Sequence, residues 1–345
     1  MRERLLQAGS MILAMVLLTM PGPSQVLKDN KKQGKSKQEA RAESAAGLPA
    51  VLMQDRGDLA TLDLYYGVGG KDGAPNPNDV YTFVDEDLNQ SQPKFNVKDA
   101  EGRHWKAKLG AEPQSETAAT RFVWAAGYFV DQDNYLDEIK VQDLPKLHRG
   151  EQWVSPGGTV SRVRLKLEPK EVKTIGYWAW SDNPFMRTRE LNGLRVMMAL
   201  IGNWDLITRN NKIYEVDGQR RYVVSDLGAS FGRSGNEITR SKGKMEDYVA
   251  SKFIDKTTSD TVDFAIHSRP LPLMALSFHY YPDLVHGQEV YKNVPRADAR
   301  WIGQRLAQLS ENQIRDCFRA AGYSPEEIEG YTKAVRQRIA ELNTL

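Results

Sequence analysis

From Arg189 to Gly228 the chain sets down four pieces in a fixed order, and that order limits its possible folds more than any other feature. Arg189 to Ile201 places Leu191, Leu194, Met198 and Ile201 on one side of a helix. A polar loop follows from Gly202 to Asn211, with Asp205 and Asn210 five positions apart. Ile213 to Val216 and Tyr222 to Val224 flank an Asp217-Gly218 turn and read as a hairpin. Ser225-Asp226-Leu227-Gly228 stands immediately after it. Taken singly, Asp205 reads as a loop cap, Asn210-Asn211 as a turn and Asp226-Leu227-Gly228 as a strand ending. The order and the five-residue gap are what call for a common explanation.

Upstream, residues 48 to 175 read as strands around one helix. Tyr81 to Val84 is β-prone, and Phe95 to Val97 and His104 to Leu109 form a hairpin around Asp99 to Gly102. Trp105, Ala107 and Leu109 share one face of the second arm, while Lys106 and Lys108 share the other. Pro113 to Gly127 is a helix with Ala118, Phe122, Ala125 and Ala126 at helical spacing. Val160 to Leu167 alternates apolar with basic residues, which predicts a strand with one wet face. Near the end, Ser310 with Gln313 and Ser324 with Glu327 form capping-box patterns, the second with Pro325 at the first helical position. The expected fold is α+β and two-lobed: a β-rich lobe over 48–175, then a mostly helical lobe over 176–345.

Charge removes one class of function. The 345 residues sum to +2, but residues 28–45 alone carry six basic against three acidic side chains. With a further +1 among the first four residues, everything after residue 45 stands at −2. A mildly acidic body argues against a nucleic-acid partner. The single Cys317 excludes an internal disulfide framework and a cysteine-rich metal site. His279 and His286 stand seven apart without a third ligand, so no metal centre is expected there. Tyr177-Trp178-Ala179-Trp180 reads as core or interlobe packing, with stacking on a sugar or base as the alternative.

The start reads as an address. Arg2 and Arg4 precede an apolar run from Met11 to Met20, too short to span a bilayer comfortably, and Pro21-Gly22-Pro23-Ser24 follows. Residues 1–24 are expected to be a signal peptide, with an uncleaved anchor as the alternative. Residues 25–47 are expected to be a disordered basic linker. Export to the periplasm or beyond follows, with no stable membrane span after cleavage.

Phosphoryl transfer from a nucleotide needs a cation on the phosphates, oxygens for a metal, and a carboxylate beside the accepting hydroxyl. Lys108, on a strand before the helix that opens with Ser115-Glu116, together with Asp205, Asn210 and Asp226, supplies these in order. On these residues the body resembles the atypical branch of the protein-kinase-like fold: the HipA toxin kinases, the secretory-pathway casein kinases and the CotH-type kinases. Phosphatidylinositol 4-kinases share the plan, and a bacterial exported group of this kind is the nearest likeness. The likeness spans roughly residues 80–235.

The resemblance implies ATP and Mg2+ between the lobes, with Lys108 on the phosphates and Glu116 as its ion-pair partner. It implies Asp205 as base or hydroxyl-orienting group, and Asn210 and Asp226 as magnesium ligands. Asn203-Trp204 stands where kinases place His-Arg, and Leu227 fills the middle of the metal motif. Lys106 is a rival to Lys108. The Asn89-Gln90-Ser91 turn, through Ser91, is better placed to cover the phosphates than the glycines at 67, 69, 70 and 73. The expected activity is transfer to a hydroxyl of an unknown protein or small-molecule acceptor. A catalytically silent pseudokinase module of the cell envelope and a nucleotidyl transferase on the same fold are the alternatives.

Overall fold

The computed structural model describes residues 38–89, 92–235, 238–267, 287 and 289–345. Ser91, His279, His286 and the leader over 1–24 lie outside the described residues. Residues 38–44 are helical, in a stretch rich in the helix formers Ala, Glu and Arg. Leu48 to Leu345 form one compact unit.

In chain order this unit runs β1 (Ala50–Val51), β2 (Val80–Asp87), β3 (Lys94–Lys98), β4 (His104–Lys108), helix α1 (Pro113–Ala125), β5 (Phe129–Val130), β6 (Asp133–Gln142), β7 (Val154–Ser155), β8 (Thr159–Leu167) and β9 (Lys173–Tyr177). It continues with α2 (Arg189–Leu200), β10 (Asn211–Val216), β11 (Gln219–Val224), α3 (Met245–Ala250), β12 (Ile254–Thr257), β13 (Thr261–Phe264), β14 (Val294–Pro295), α4 (Arg296–Leu306), α5 (Glu311–Arg319) and α6 (Pro325–Asn343).

The first half closes on itself. β2, β3, β4, β8 and β6 pair in succession, and β6 returns to pair in parallel with β2, so the strands form a small barrel. Alternation along each strand sends Tyr81, Phe95, Val97, Trp105, Ala107, Val163 and Leu165 to the inside, where they make a separate apolar core. The hairpin turn between β3 and β4 is held by Asp99, which accepts from the Trp105 indole at 2.8 Å and from the Arg103 amide at 2.8 Å.

The same alternation puts basic side chains on the outer face of β3, β4 and β8. The register sets Lys108 opposite both Lys94 and Arg164, and Lys106 opposite Lys166. Like charges directly across strands repel, so this face must be supplied with carboxylates. The sequence pattern of β8 suggests that its basic face is wet; the structure corrects this, because Arg164 and Lys166 are only 3% and 7% exposed. Acidic residues from other elements cover them, and a strand's own pattern carries no trace of that cover.

The second half has a larger core built on α2, α4, α5 and α6. Helix α1 precedes the β-rich strands β6 to β8, yet Ala118, Ala119, Phe122 and Val123 pack into this second core. Phe122 lies 5.8 Å from Phe231 and 5.4 Å from Phe318 between ring centroids. Gly127 ends α1 with φ 107°, where a Cβ would stand 2.8 Å from the Gln54 carbonyl oxygen. Sheet β1-β11-β10-β9, with β5 added along β11, contributes Tyr222 and Val224 to the same core. Its hairpin turn takes left-handed backbone at both Asp217 and Gly218, as a two-residue turn between twisted strands requires. Trp178 and Trp180 are buried in this core, and the Trp178 indole donates to the Val223 carbonyl at 3.1 Å. Both capping boxes form.

Candidate active site

Lys108 ends its strand with a side chain that is 2% exposed. A buried ammonium needs counter-charges, and three carboxylates converge on it: Glu112 at 2.8 Å, Glu116 at 2.9 Å and Asp226 at 3.3 Å. Glu112 directly precedes α1 and Glu116 lies in its first turn, so one short loop after β4 delivers both. Asp226 comes from the end of the β10–β11 hairpin, and the contact ties the barrel to the second half of the molecule. Lys106, the rival, points to Asp87 at 3.1 Å and Glu168 at 3.4 Å instead.

Arg164 extends the network. It donates to Glu116 at 3.1 Å and lies 3.3 Å from Asp133. Lys242 reaches the other oxygen of Glu112 and lies 5.2 Å from the Trp204 ring. Burial works to lower the Lys108 pKa, but Asp226, Glu116 and Glu112 outweigh it and hold the ammonium above its ordinary value. Burial likewise works to raise Asp226, and Lys108 outweighs it, with the Gly228 amide and Arg164 helping, so this carboxyl sits well below the usual range.

The loop after α2 is fixed by its own polar groups. Gly202 turns the chain with φ 66°, and the Asn203 side chain accepts from the Asp205 amide at 2.9 Å. The Tyr291 hydroxyl donates to the Asn203 carbonyl. The Asn210 amide donates to the Asp205 carbonyl at 3.0 Å, and the Asn210 carbonyl accepts from the Ser225 and Asp226 amides at 2.9 and 3.2 Å. One residue therefore ties the loop carrying Asp205 to the strand end carrying Asp226. Burial raises the Asp205 pKa, and Asp226 raises it further; Lys242 and the Asn210 hydrogen bond oppose this.

Gly228 has a defined reason to be glycine. A Cβ there would stand 2.6 Å from a Glu112 carboxylate oxygen and 2.9 Å from the Glu112 Cβ, while Ser115 donates to the Gly228 carbonyl at 2.8 Å. Glu112 cannot retreat without leaving Lys108 and Lys242. Gly228→Ala is expected to destabilise by about 1–3 kcal/mol through this overpacking. Chemical denaturation checks it, and an unchanged midpoint would show that Glu112 has room to move.

Asp133 is fully buried beside Arg164, and neither of its oxygens has a hydrogen-bond donor among the described residues. Burial pushes its pKa up to about 7 from 3.8, with Glu116 and Asp131 adding to the rise and Arg164 opposing it. An acid whose folded pKa is raised holds its proton longer in the folded state. Its contribution to stability therefore falls as pH rises from about 4 to about 7 and is level above that. Asp133→Asn removes this slope, so the variant should gain on the wild type between about pH 4 and about pH 7 in urea titrations. A constant difference across that window would contradict the assignment.

The structure thus gathers Lys108, Glu116 and Asp226 at one point and links Asp205 to Asn210 beside it. Sequence reasoning missed Glu112, Arg164 and Lys242. Glu112 carried a usable signal, an acidic residue directly before a helix-opening proline and four positions after Lys108. Arg164 and Lys242 carried none, since a basic residue on a strand or loop reads as solvated.

A strand lysine clasped by the first turn of a helix thus meets, through Asp226, a helix-delivered loop tied to an Asp-x-Gly strand end. Among solved structures the protein is similar to the Helicobacter pylori proinflammatory kinase CtkA, at 10% identity over 77% of this chain and 97% of that one, TM-score 0.41. It is also similar to the Golgi casein kinase, at 10% identity over 85% and 83% of the two chains, TM-score 0.42. The same enzyme with Mn/ADP bound matches at 9% identity over 78% and 72%, TM-score 0.40. No protein-family model and no curated protein matches the chain. The residue roles below rest on this chain's own geometry.

Proposed function

We propose that this protein is an atypical kinase that uses a nucleoside triphosphate, ATP, with a divalent cation, Mg2+, and transfers the terminal phosphoryl group to a hydroxyl acceptor. The observation that carries the reading is Lys108, buried on Glu116 and reaching Asp226 across from the other half of the molecule. Lys108 is the cation for the phosphates, held in place by Glu112 and Glu116.

The donor set suits a divalent cation. Glu112, Glu116 and Asp226 offer oxygens within 4.8 Å of one another, and one buried Glu116 oxygen has no hydrogen-bond partner among the described residues. Asp226 and the Asn210 side-chain oxygen would hold the ion, whose chemistry is to offset charge on the phosphate oxygens. Asp205 orients the acceptor hydroxyl and takes its proton, a task that its raised pKa fits.

Asp205→Asn tests the assignment of roles. The variant should bind Mg-ATP with unchanged affinity while release or transfer of labelled phosphate falls by about 10²–10⁴-fold. Full turnover in the variant would remove Asp205 from the chemistry. Export belongs to the same proposal and rests on the N-terminal sequence; among the described residues no helix is long and apolar enough to cross a membrane. Recovery of the chain from the cytoplasm, with its leader intact, would contradict export.

A further inference from the structure

A second cavity, of about 530 Å³, lies between β5, β8 and the β10–β11 hairpin, and neither Lys108 nor Asp226 lines it. Its walls carry Arg56, Lys166, Lys212 and Arg221 against only two acids, Asp131 and Glu168. Apolar side chains such as Val130 and Val172 share the rest with Gln54, Gln132, Thr174 and Tyr214.

The acids do not serve all these cations. Asp131 is committed to Lys166 at 3.3 Å, to the Tyr214 hydroxyl at 2.8 Å and to the Ser225 hydroxyl at 2.5 Å. Glu168 pairs with Lys106 and Lys166. Among the described residues no carboxylate lies within ion-pair distance of Lys212 or Arg56: Lys212 meets the Tyr214 hydroxyl at 3.4 Å, and Arg56 lies over the Trp124 ring and donates to the Trp124 carbonyl at 2.8 Å. Two cations without an ion-paired carboxylate, in a cavity of ligand size with partly apolar walls, describe a receptor for an anion with an apolar body. Burial depresses the Lys212 pKa to about 8, with Asp131 opposing the shift and Lys166 adding to it.

We propose that this cavity binds a phosphomonoester carried on a small apolar group, with the phosphate on Lys212 and Arg56 and the apolar body against Val130 and Val172. A phosphomonoester carries close to two negative charges near neutral pH, and this matches the two cations that lack carboxylates.

The test is calorimetric titration of the full chain with phenyl phosphate, with phenol as the uncharged control. Phenyl phosphate should bind and phenol should not. Lys212→Gln and, independently, Arg56→Gln should each weaken binding about tenfold or more, the scale of one lost charge-assisted hydrogen bond. Asp226→Ala, which strikes the other site, should leave binding unchanged. Absence of binding to the wild type, binding that survives both cavity substitutions, or binding lost in Asp226→Ala would each overturn the proposal. None of these outcomes depends on whether the protein binds ATP.

Discussion

Lys108→Met should destabilise the protein by about 3–5 kcal/mol, although methionine fills nearly the same volume. The substitution leaves Glu112 and Glu116 facing one another, 5% and 1% exposed, with the Asp226 carboxylate beside them. Arg164 and Lys242 remain, but each holds only one of the three carboxylates. Like charges in a low-dielectric site respond by taking up protons, so the carboxyl pKa values in the variant rise. The sign follows from linkage. A raised acid pKa costs stability above that pKa, so the gap between variant and wild type should narrow as pH falls through the carboxyl range. Urea denaturation at neutral and at mildly acid pH measures both effects. A variant as stable as the wild type at neutral pH would mean that the cluster is solvated, contrary to the burial described above.

Asp226→Ala should behave differently. The Asp226 side chain is 29% exposed, and its removal leaves Lys108 with two close carboxylates, Glu112 and Glu116. The ammonium stays paired, so the fold should persist, with a lowered midpoint because a carboxylate that the native state holds ionised is lost. What disappears is the oxygen that would share a metal with Asn210, and metal-dependent nucleotide affinity should vanish with it. The pair of variants therefore separates the two jobs proposed within one cluster: stability and phosphate binding for Lys108, and metal-dependent nucleotide binding for Asp226. If Asp226→Ala kept its Mg-ATP affinity, the metal site would have to lie elsewhere.

Much of this arrangement is legible in the sequence, for reasons that differ by element. The helix from Arg189, the loop with Asp205 and Asn210 and the Asp217-Gly218 hairpin are local, and period and turn chemistry specify them. The same holds for the β3–β4 hairpin, whose alternation sends Lys106 and Lys108 to one face. Closure of the barrel is not local. It needs β6, whose Asp133-Asn134-Tyr135-Leu136-Asp137-Glu138 run has no clean alternation, to lie parallel to β2 more than 50 residues earlier. Arg164 and Lys166 mislead for a related reason. Their burial is imposed by Glu116, Asp131 and Asp133, which arrive from other elements, while a strand pattern reports only on the strand itself.

Thermal unfolding of the full chain with ATP, with Mg2+, and with both together tests the central claim most directly. A ligand at a hundredfold excess over its Kd stabilises by about 2.7 kcal/mol, which for a chain of this size raises the midpoint by a few degrees. The account predicts that rise only when nucleotide and metal are both present, and predicts that Asp226→Ala lacks it. A midpoint that stays put in the wild type with ATP and with other nucleoside triphosphates, metal included, would contradict the account: the Lys108 cluster would then be a structural ion-pair network joining the barrel to the helices.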